Sequence, residues 1–377
     1  MATRYCSRQA SGVRVRVLER IAALRSRLAD EGVDALAVIA VSNVTYLTGF
    51  SGVFDSEPAH VGLVTAHDAV LFTDSRFLTA LAEAAEGTPW HVELVSDEVG
   101  KVAAQTAKAA GLGRLALEST LPHARFLAIA EAFEGDVLSA SGWVEELRTV
   151  KDADEIAAID AAQALTDRAF DHLLANVLRR GVTEREIALE LEFFMRREGS
   201  EGVAFAPIVA SGPNAALPHA TAGHRELAPG DFVVLDFGAR VGGYCADMTR
   251  TVVVGSPSAE QRAIYDAVLA ANVAGIAAVK ADRLGSEIDA EARAVIEGAG
   301  YGERFGHGLG HGVGLEVHER PGVGPRSTGS VPLGTVITIE PGVYIPGMGG
   351  VRIEDLAVVE EHGARVLTRS TKELLEV

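Results

Sequence analysis

Along the first 145 residues the apolar positions switch repeatedly between two periods. Residues 13–31 carry Val17, Ile21, Leu24 and Leu28 at helical spacing, which predicts an amphipathic helix. The aliphatic run DALAVIAV then reads as a strand, followed by NVTYLTGF, and further strands are expected at VGLVTA, AVLFTD, HVELV and RLALES. Between them SRFLTALAEAAEG, DEVGKVAAQTAKAAG and LPHARFLAIAEAFEG have the apolar spacing of helices. Strands alternating with helices predict an α/β domain over 1–145. It contains no phosphate-cradling glycine pattern and no metal-ligand spacing, and Tyr46, Asp74 and Arg76 read as turn and capping residues.

The pattern changes at LRTVKDADEIAAIDAAQALTDRAFDHLLANV. Asp152 or Asp154 is placed to cap a long helix whose stripe of Ile156, Ile159, Ala162 and Leu165 suits packing on a sheet. A second helix is expected from Thr183, with Glu186 completing a capping box. Beyond it strands, hairpins and helices alternate to the end, an α+β layout over 146–377 without tandem repeats. The most apolar stretch, Ala267 to Val279, has Asn272 inside it and charged flanks. It is too short and too polar to span a bilayer and predicts a core helix.

Two hairpins in this half carry paired acids. In DFVVLDFGARVGGYCADMTRTVVV a Gly242-Gly243 turn joins two β-branched runs. A turn centred between Val241 and Gly242 sets Asp236 opposite Asp247. In TVITIEPGVYIPGMGGVRIEDLAVV a Pro346–Gly350 turn centred on Gly347 sets Glu340 opposite Glu354. Facing residues on one sheet face have Cβ atoms about 5 Å apart, and like charges there repel. Two such buried pairs need positive charge between them. The plainer reading, exposed acids beside ordinary turns, is disfavoured by the glycine-spaced histidines between the pairs.

Four carboxylates with His311 call for two divalent cations, since one would leave the charge half neutralised. Oxygen-rich ligation with one imidazole suits Mn²⁺, with Co²⁺, Zn²⁺ and Fe²⁺ as alternatives. Thiolates for structural zinc are lacking, and a histidine argues against calcium. His219, His307 and His318 lie around this set in sequence. Glycines at 306, 308, 310, 312 and 314 exclude a helical His-Glu-x-x-His motif and permit close backbone approach to a ligand. Each histidine alone reads as an ordinary polar residue. Together, beside a two-metal centre, they read as donors to an oxyanion or a leaving nitrogen. Arg352 shares a strand face with Glu354 and is placed to orient ligand carboxylates, its plainer reading being a surface charge; Thr249 offers a supporting hydroxyl.

Composition narrows the partners. The chain has 377 residues, and 34 basic against 52 acidic side chains leave a net charge of −18, which disfavours nucleic acid and anionic membranes. Two cysteines, Cys6 and Cys245, make no disulfide framework, fit a reducing cytoplasm, and leave Cys245 as a small buried side chain. The start MATRYCSRQASGVRVRV carries Arg4, Arg8, Arg14 and Arg16 without an apolar core, so no secretory signal is expected there.

The ordered segments ASGPNAALPHA, VLDFGARVGGYCADMTRT, HGLGHGVGLEVHE and TIEPGVYIPGMGGVRIED resemble the pita-bread metallopeptidases. NVTYLTGFSG, TDSRF and LRTVKDADEIAAIDAA are similar to the creatinase-type N-terminal half of their proline-specific branch, the Xaa-Pro dipeptidases (prolidases) and aminopeptidases P. The resemblance runs nearly end to end. It implies a creatinase-like α/β N-terminal domain over 1–145 and an α+β pita-bread catalytic domain over 146–377. It implies that Asp236 chelates one ion, Asp247 and Glu354 bridge two, and His311 and Glu340 complete the other. Glu340 would also take a proton from the attacking water, His219 and His318 would contact the scissile carbonyl and the intermediate, and His307 would face the substrate; Arg352, from its strand position, is a further substrate-binding candidate. Proline-containing dipeptides or short peptides are the implied substrates, and a homodimer the implied assembly. The compact N-terminal half leans towards dipeptidase, with aminopeptidase P as the alternative. Creatinase and methionine aminopeptidase fit less well, because five ligands and a full N-terminal half are both present. A metal-free peptide-binding scaffold of the same fold is the non-enzyme alternative.

Overall fold

The chain divides into two compact units, Met1–Arg148 and Thr149–Val377, in a computed structural model that describes residues 2–55, 57 and 59–377, with side chains from residue 15 onward. The side chains of Arg4, Cys6, Arg8 and Arg14 lie outside the described residues, and so do the expectations that rest on them.

In the first unit helix α1 (Ala2–Glu31) starts well before the predicted residue 13 and buries Val17, Ile21, Leu24 and Leu28. Strand β1 (Ala35–Val38) leads into helix α2 (Val41–Thr48), formed by most of NVTYLTGF. Glu118 accepts from the Ile39 and Ala40 N–H groups just ahead of the helix, which stops at Gly49, whose φ is +73°. Strands β2 (His60–Thr65) and β3 (Ala69–Thr73), helix α3 (Leu78–Ala85), strand β4 (His91–Leu94), helix α4 (Val99–Ala109), strand β5 (Arg114–Glu118) and helix α5 (His123–Phe133) match the predicted segments, β2 starting one residue earlier. Strand β6 (Asp136–Ala140) was not anticipated; helix α6 (Trp143–Thr149) follows it. The strands form one mixed sheet in the order β4-β3-β2-β1-β5-β6. Asp74 accepts from the Arg76 N–H in a turn, and the Tyr46 hydroxyl donates to Leu147 O, as turn and capping roles require.

The second unit opens with helix α7 (Ala153–Asn176), capped by Asp152 with Glu155 in a capping box, and helix α8 (Glu184–Arg197), capped by Thr183 with Glu186. The strands are β7 (Gly202–Val203), β8 (Ile208–Ser211), β9 (Phe232–Phe237), β10 (Ala239–Val241), β11 (Tyr244–Cys245) and β12 (Met248–Val253). Helices α9 (Ala259–Ala278) and α10 (Gly285–Gly298) follow, then β13 (Gly310–Gly312), β14 (Glu319–Val323), β15 (Val336–Ile339), β16 (Gly342–Ile345), β17 (Gly349–Arg352), β18 (Asp355–Glu360) and β19 (Gly363–Val366). Leu165, Phe170, Ile187 and Leu191 of α7 and α8 share a core with Val209, Leu235 and Phe237 of the β8-β9-β12 sheet. Helices α9 and α10 bury Val268, Ile288 and Ala292 against Ile339, Val343, Val351 and Ile353.

The two hairpins meet their expected registers differently. Gly242 and Gly243 both have positive φ, +60° and +81°, so they form the two central residues of a type I′ turn. The turn therefore centres one position later than expected, and Asp236 lies opposite Thr249 instead of Asp247. The pairing is displaced by two residues, which keeps Asp247 on the face Asp236 uses. The second hairpin keeps the expected register. Gly342 pairs with Arg352 and Ile345 with Gly349 about Gly347, and Ile339 pairs with Asp355 farther along the same strands. Glu340 and Glu354 thus occupy facing positions between two stretches of ladder.

Candidate metal centre

Each acid arrives from a different part of a sheet. Asp236 is near the end of β9, Asp247 precedes β12, Glu340 follows β15 and Glu354 precedes β18. The imidazole comes from His311 in β13, whose glycines are needed for strand packing. A Cβ at Gly310 would lie 2.0 Å from Thr338 O, and one at Gly312 would lie 2.2 Å from Arg320 O. At Gly310 and Gly312 the close approach is to neighbouring backbone, and Gly308 and Gly310 also line the cavity described next.

All five predicted ligands line one cavity of about 470 Å³, together with His219, His307, His318 and Arg352. Candidate ligand atoms of Asp247, His311 and Glu354 lie within 4.8 Å of one another. His311 Nε2 is 3.3 Å from Glu340 Oε1 and 3.7 Å from Asp247 Oδ2. Its Nδ1 is 3.0 Å from Gly312 O, an acceptor only, so Nδ1 carries a proton and Nε2 faces the carboxylates.

The electrostatics of this cluster are unbalanced. Burial, then the neighbouring carboxylates, pushes Asp247 and Glu354 well above the usual carboxylate range. Burial also raises Asp236, against the pull of Arg352. Burial disfavours charge on Glu340 as well, but the hydrogen bond and charge of His311 outweigh it and bring Glu340 down, with His311 moving up in return. Asp236 Oδ1 and Asp247 Oδ1 are buried without a hydrogen-bond partner. Unpaired buried oxygens are costly, and so are carboxylates crowded together with too little counter-charge. A cation among them relieves both, so the donor set fits divalent metal.

Arg352 is the buried counter-charge, not a surface residue. Its Nη2 donates to Asp236, Nε to the Thr249 hydroxyl at 2.9 Å and Nη1 to the Tyr344 hydroxyl at 2.9 Å. Thr249 in turn donates to Glu354 Oε2 at 2.7 Å, fulfilling the supporting contact expected of it. The Tyr344 hydroxyl is 3.0 Å from His307 Nε2, while His307 Nδ1 donates to Gly308 O at 2.8 Å. Burial lowers His307, and burial together with His311 lowers His318, whose ring centroid is 4.3 Å from that of His311. His219 stands on an exposed loop at the cavity edge. Cys245 is buried, with its thiol pushed up to about 11 by desolvation.

Several further residues build the site. Tyr344 sits four residues beyond Glu340, and period two alone would have put it on the same strand face. Glu184 accepts from Ser211 N, Ser211 Oγ, Asn214 Nδ2 and Gly223 N, and so clamps both ends of the loop bearing His219. Asp289 and Arg293 hold Leu309 N and the carbonyls of Phe305 and His307. Phe205, Ile208 and Val317 supply an apolar wall. No local pattern marks these last contacts.

Comparison with known proteins agrees with this geometry. Residues 157–361 match the model of metallopeptidase family M24, and residues 20–150 match the creatinase/prolidase N-terminal domain. The chain belongs to metallopeptidase family M24, with a creatinase-type N-terminal domain and a pita-bread catalytic domain. It is 35% identical to a Xaa-Pro dipeptidase of Pyrococcus horikoshii, over 91% of this chain and 95% of that one. A solved Xaa-Pro dipeptidase from Bacillus anthracis superposes with a TM-score of 0.91 at 40% identity, covering 96% of this chain and all of that one (100%). An X-Pro aminopeptidase structure from Thermotoga maritima gives 0.82 at 38% identity, covering 92% and 98%.

Proposed function

We propose that this chain hydrolyses the peptide bond before proline in Xaa-Pro dipeptides, with residues 146–377 catalytic and residues 1–145 in an accessory role. The observation that carries this reading is the convergence of three buried acids, two with unpaired oxygens, and the half-buried Glu340 on His311 beside a cavity lined by three further histidines. The relatives' named substrates supply the proline specificity.

Asp236, Asp247, His311, Glu340 and Glu354 would hold two divalent cations, Mn²⁺ best suiting this donor set. When bound, such ions lower the pKa of a water and polarise a carbonyl. Glu340 receives the proton of the attacking water and returns it to the proline nitrogen as the C–N bond breaks. His318 and His219 donate to the carbonyl oxygen as negative charge develops on it. Arg352 and Tyr344 orient Asp236 and His307, and His307 faces the substrate. The Xaa-Pro bond has no N–H to engage and a ring that fixes its backbone, so an apolar wall of Phe205, Ile208 and Val317 suits it better than a row of acceptors. A homodimer in a reducing cytoplasm completes the proposal.

Similarity to an X-Pro aminopeptidase favours a second reading, release of the first residue from longer Xaa-Pro peptides. Competition between Gly-Pro and Xaa-Pro-Yaa tripeptides on purified protein tests the choice. Preference for the dipeptide is expected, and preference for tripeptides would select the aminopeptidase. Hydrolysis of neither, with no divalent metal by elemental analysis, would leave the metal-free scaffold.

A further inference from the structure

Asn272 is the one polar residue between Ala267 and Val279, in the middle of α9. It is fully buried, and its hydrogen bonds reach far along the chain. Its Nδ2 donates to Ile339 O at 3.0 Å and to Ile353 O at 3.2 Å. Its Oδ1 accepts from Lys372 Nζ at 2.9 Å, and the same ammonium lies 2.8 Å from Asp355 Oδ2. Because an ammonium can only donate, this contact also settles which way the amide points.

The two carbonyls directly precede Glu340 and Glu354, at the place where the strand pair divides. Ladder pairing ends at Ile339 with Asp355 and resumes at Gly342 with Arg352. In the gap the Glu340 N–H turns to Leu309 O at 2.7 Å, and the Glu354 N–H turns to Thr249 O at 3.1 Å. One planar amide therefore spans the two strands where their own pairing thins to a long bond, from Ile353 N to Pro341 O at 3.4 Å. Gly275, three residues farther along α9, brings the helix this close; a Cβ there would lie 2.8 Å from Ile339 Cγ2.

We infer that Asn272 is a positioning residue that sets the separation of Glu340 and Glu354, and through it the cation affinity of the site. The inference rests on the two-cation reading above. It assigns to a helix behind the sheet a part in ligation that no side chain of that helix performs directly.

The test titrates metal-free wild type, Asn272→Leu and Val268→Ala with Mn²⁺ against a competing chelator, with melting temperatures taken on the same samples. Val268 is buried in the same core on the same helix, so its truncation lowers stability without removing a donor to either carbonyl. Wild type is expected to take up two equivalents. Asn272→Leu is expected to lose about 10–100-fold in affinity, while Val268→Ala binds as wild type at a comparable fall in melting temperature. Asn272→Ala, which removes both donors without added bulk, is expected to weaken binding likewise and stands in if the leucine variant does not fold. Unchanged affinity in the Asn272 variants, or equal weakening by Val268→Ala, overturns the inference. Wild-type protein that binds no Mn²⁺ overturns the two-cation reading, and the inference with it.

Discussion

Glu118 in the first unit and Glu354 in the second are both almost fully buried, and desolvation raises both above the ordinary glutamate range. Their surroundings differ. Glu118 is answered by neutral donors: Ile39 N at 2.6 Å, Ala40 N at 2.7 Å and Asn43 Nδ2 at 2.7 Å. Glu354 receives the Thr249 hydroxyl but faces Glu340, Asp236 and Asp247 as further negative charges. A structural carboxylate is satisfied from within the fold. A ligating one is left short of positive charge, and that deficit is what a bound cation removes.

Substitution should separate the two cases most sharply. Asp236→Asn or Glu354→Gln should remove metal and activity together. The fall in kcat/KM should exceed the roughly 100-fold that loss of a supporting hydrogen bond to a metal ligand costs. In chelator-treated protein above the raised pKa of Glu354, however, Glu354→Gln should raise the melting temperature, because it deletes a buried charge among like charges. Full activity with normal metal content in either variant would contradict the ligand assignment.

His318→Ala should slow turnover about a hundredfold, as removal of one donor to a developing oxyanion does, while metal content stays at the wild-type level. Metal loss in that variant would make His318 a ligand.

Metal affinity should depend on pH. Asp247, Glu354 and His311 all sit above their ordinary pKa values in the metal-free site, and all must be deprotonated to ligate. Binding therefore releases protons, and affinity should fall as pH drops through the raised values, by about tenfold per unit or more where several groups titrate together. For stability the metal-free site runs the other way. Carboxylates raised on folding contribute stability present below their unfolded range and lost as pH rises through the raised values. Isothermal titration in buffers of different ionisation enthalpy counts the protons; none released would refute the scheme.

The smallest effect belongs to the satisfied acid. Glu118→Gln presents an amide where Asn43 donates, and should cost the first unit about 1–2 kcal/mol of stability with kcat unchanged. Denaturant unfolding beside steady-state kinetics checks both halves of that statement.

The capping boxes at Asp152 and Thr183, strands β1 to β5 of the first unit and both hairpins are legible, because period and turn chemistry are local properties. Gly347 at the centre of the second hairpin was read correctly for the same reason. The first hairpin takes a register one turn position later than its flanking runs suggest, because both Gly242 and Gly243 have positive φ and together form the turn centre. The five candidate ligands were legible as acids of suitable spacing with a glycine-flanked histidine. Tyr344 was within reach of the same periodicity and was missed.

Residue types, their periods and their turn residues set by themselves which elements form and which side chains share a face. Tertiary structure decided the rest: that Arg352 meets Asp236 across 116 residues, that Tyr344 bonds His307, and that Asn272 holds Ile339 and Ile353. Such contacts form where separate strands and a helix close on one another in space. The closure depends on the packing of whole sheets, and no stretch of neighbouring residues carries that information.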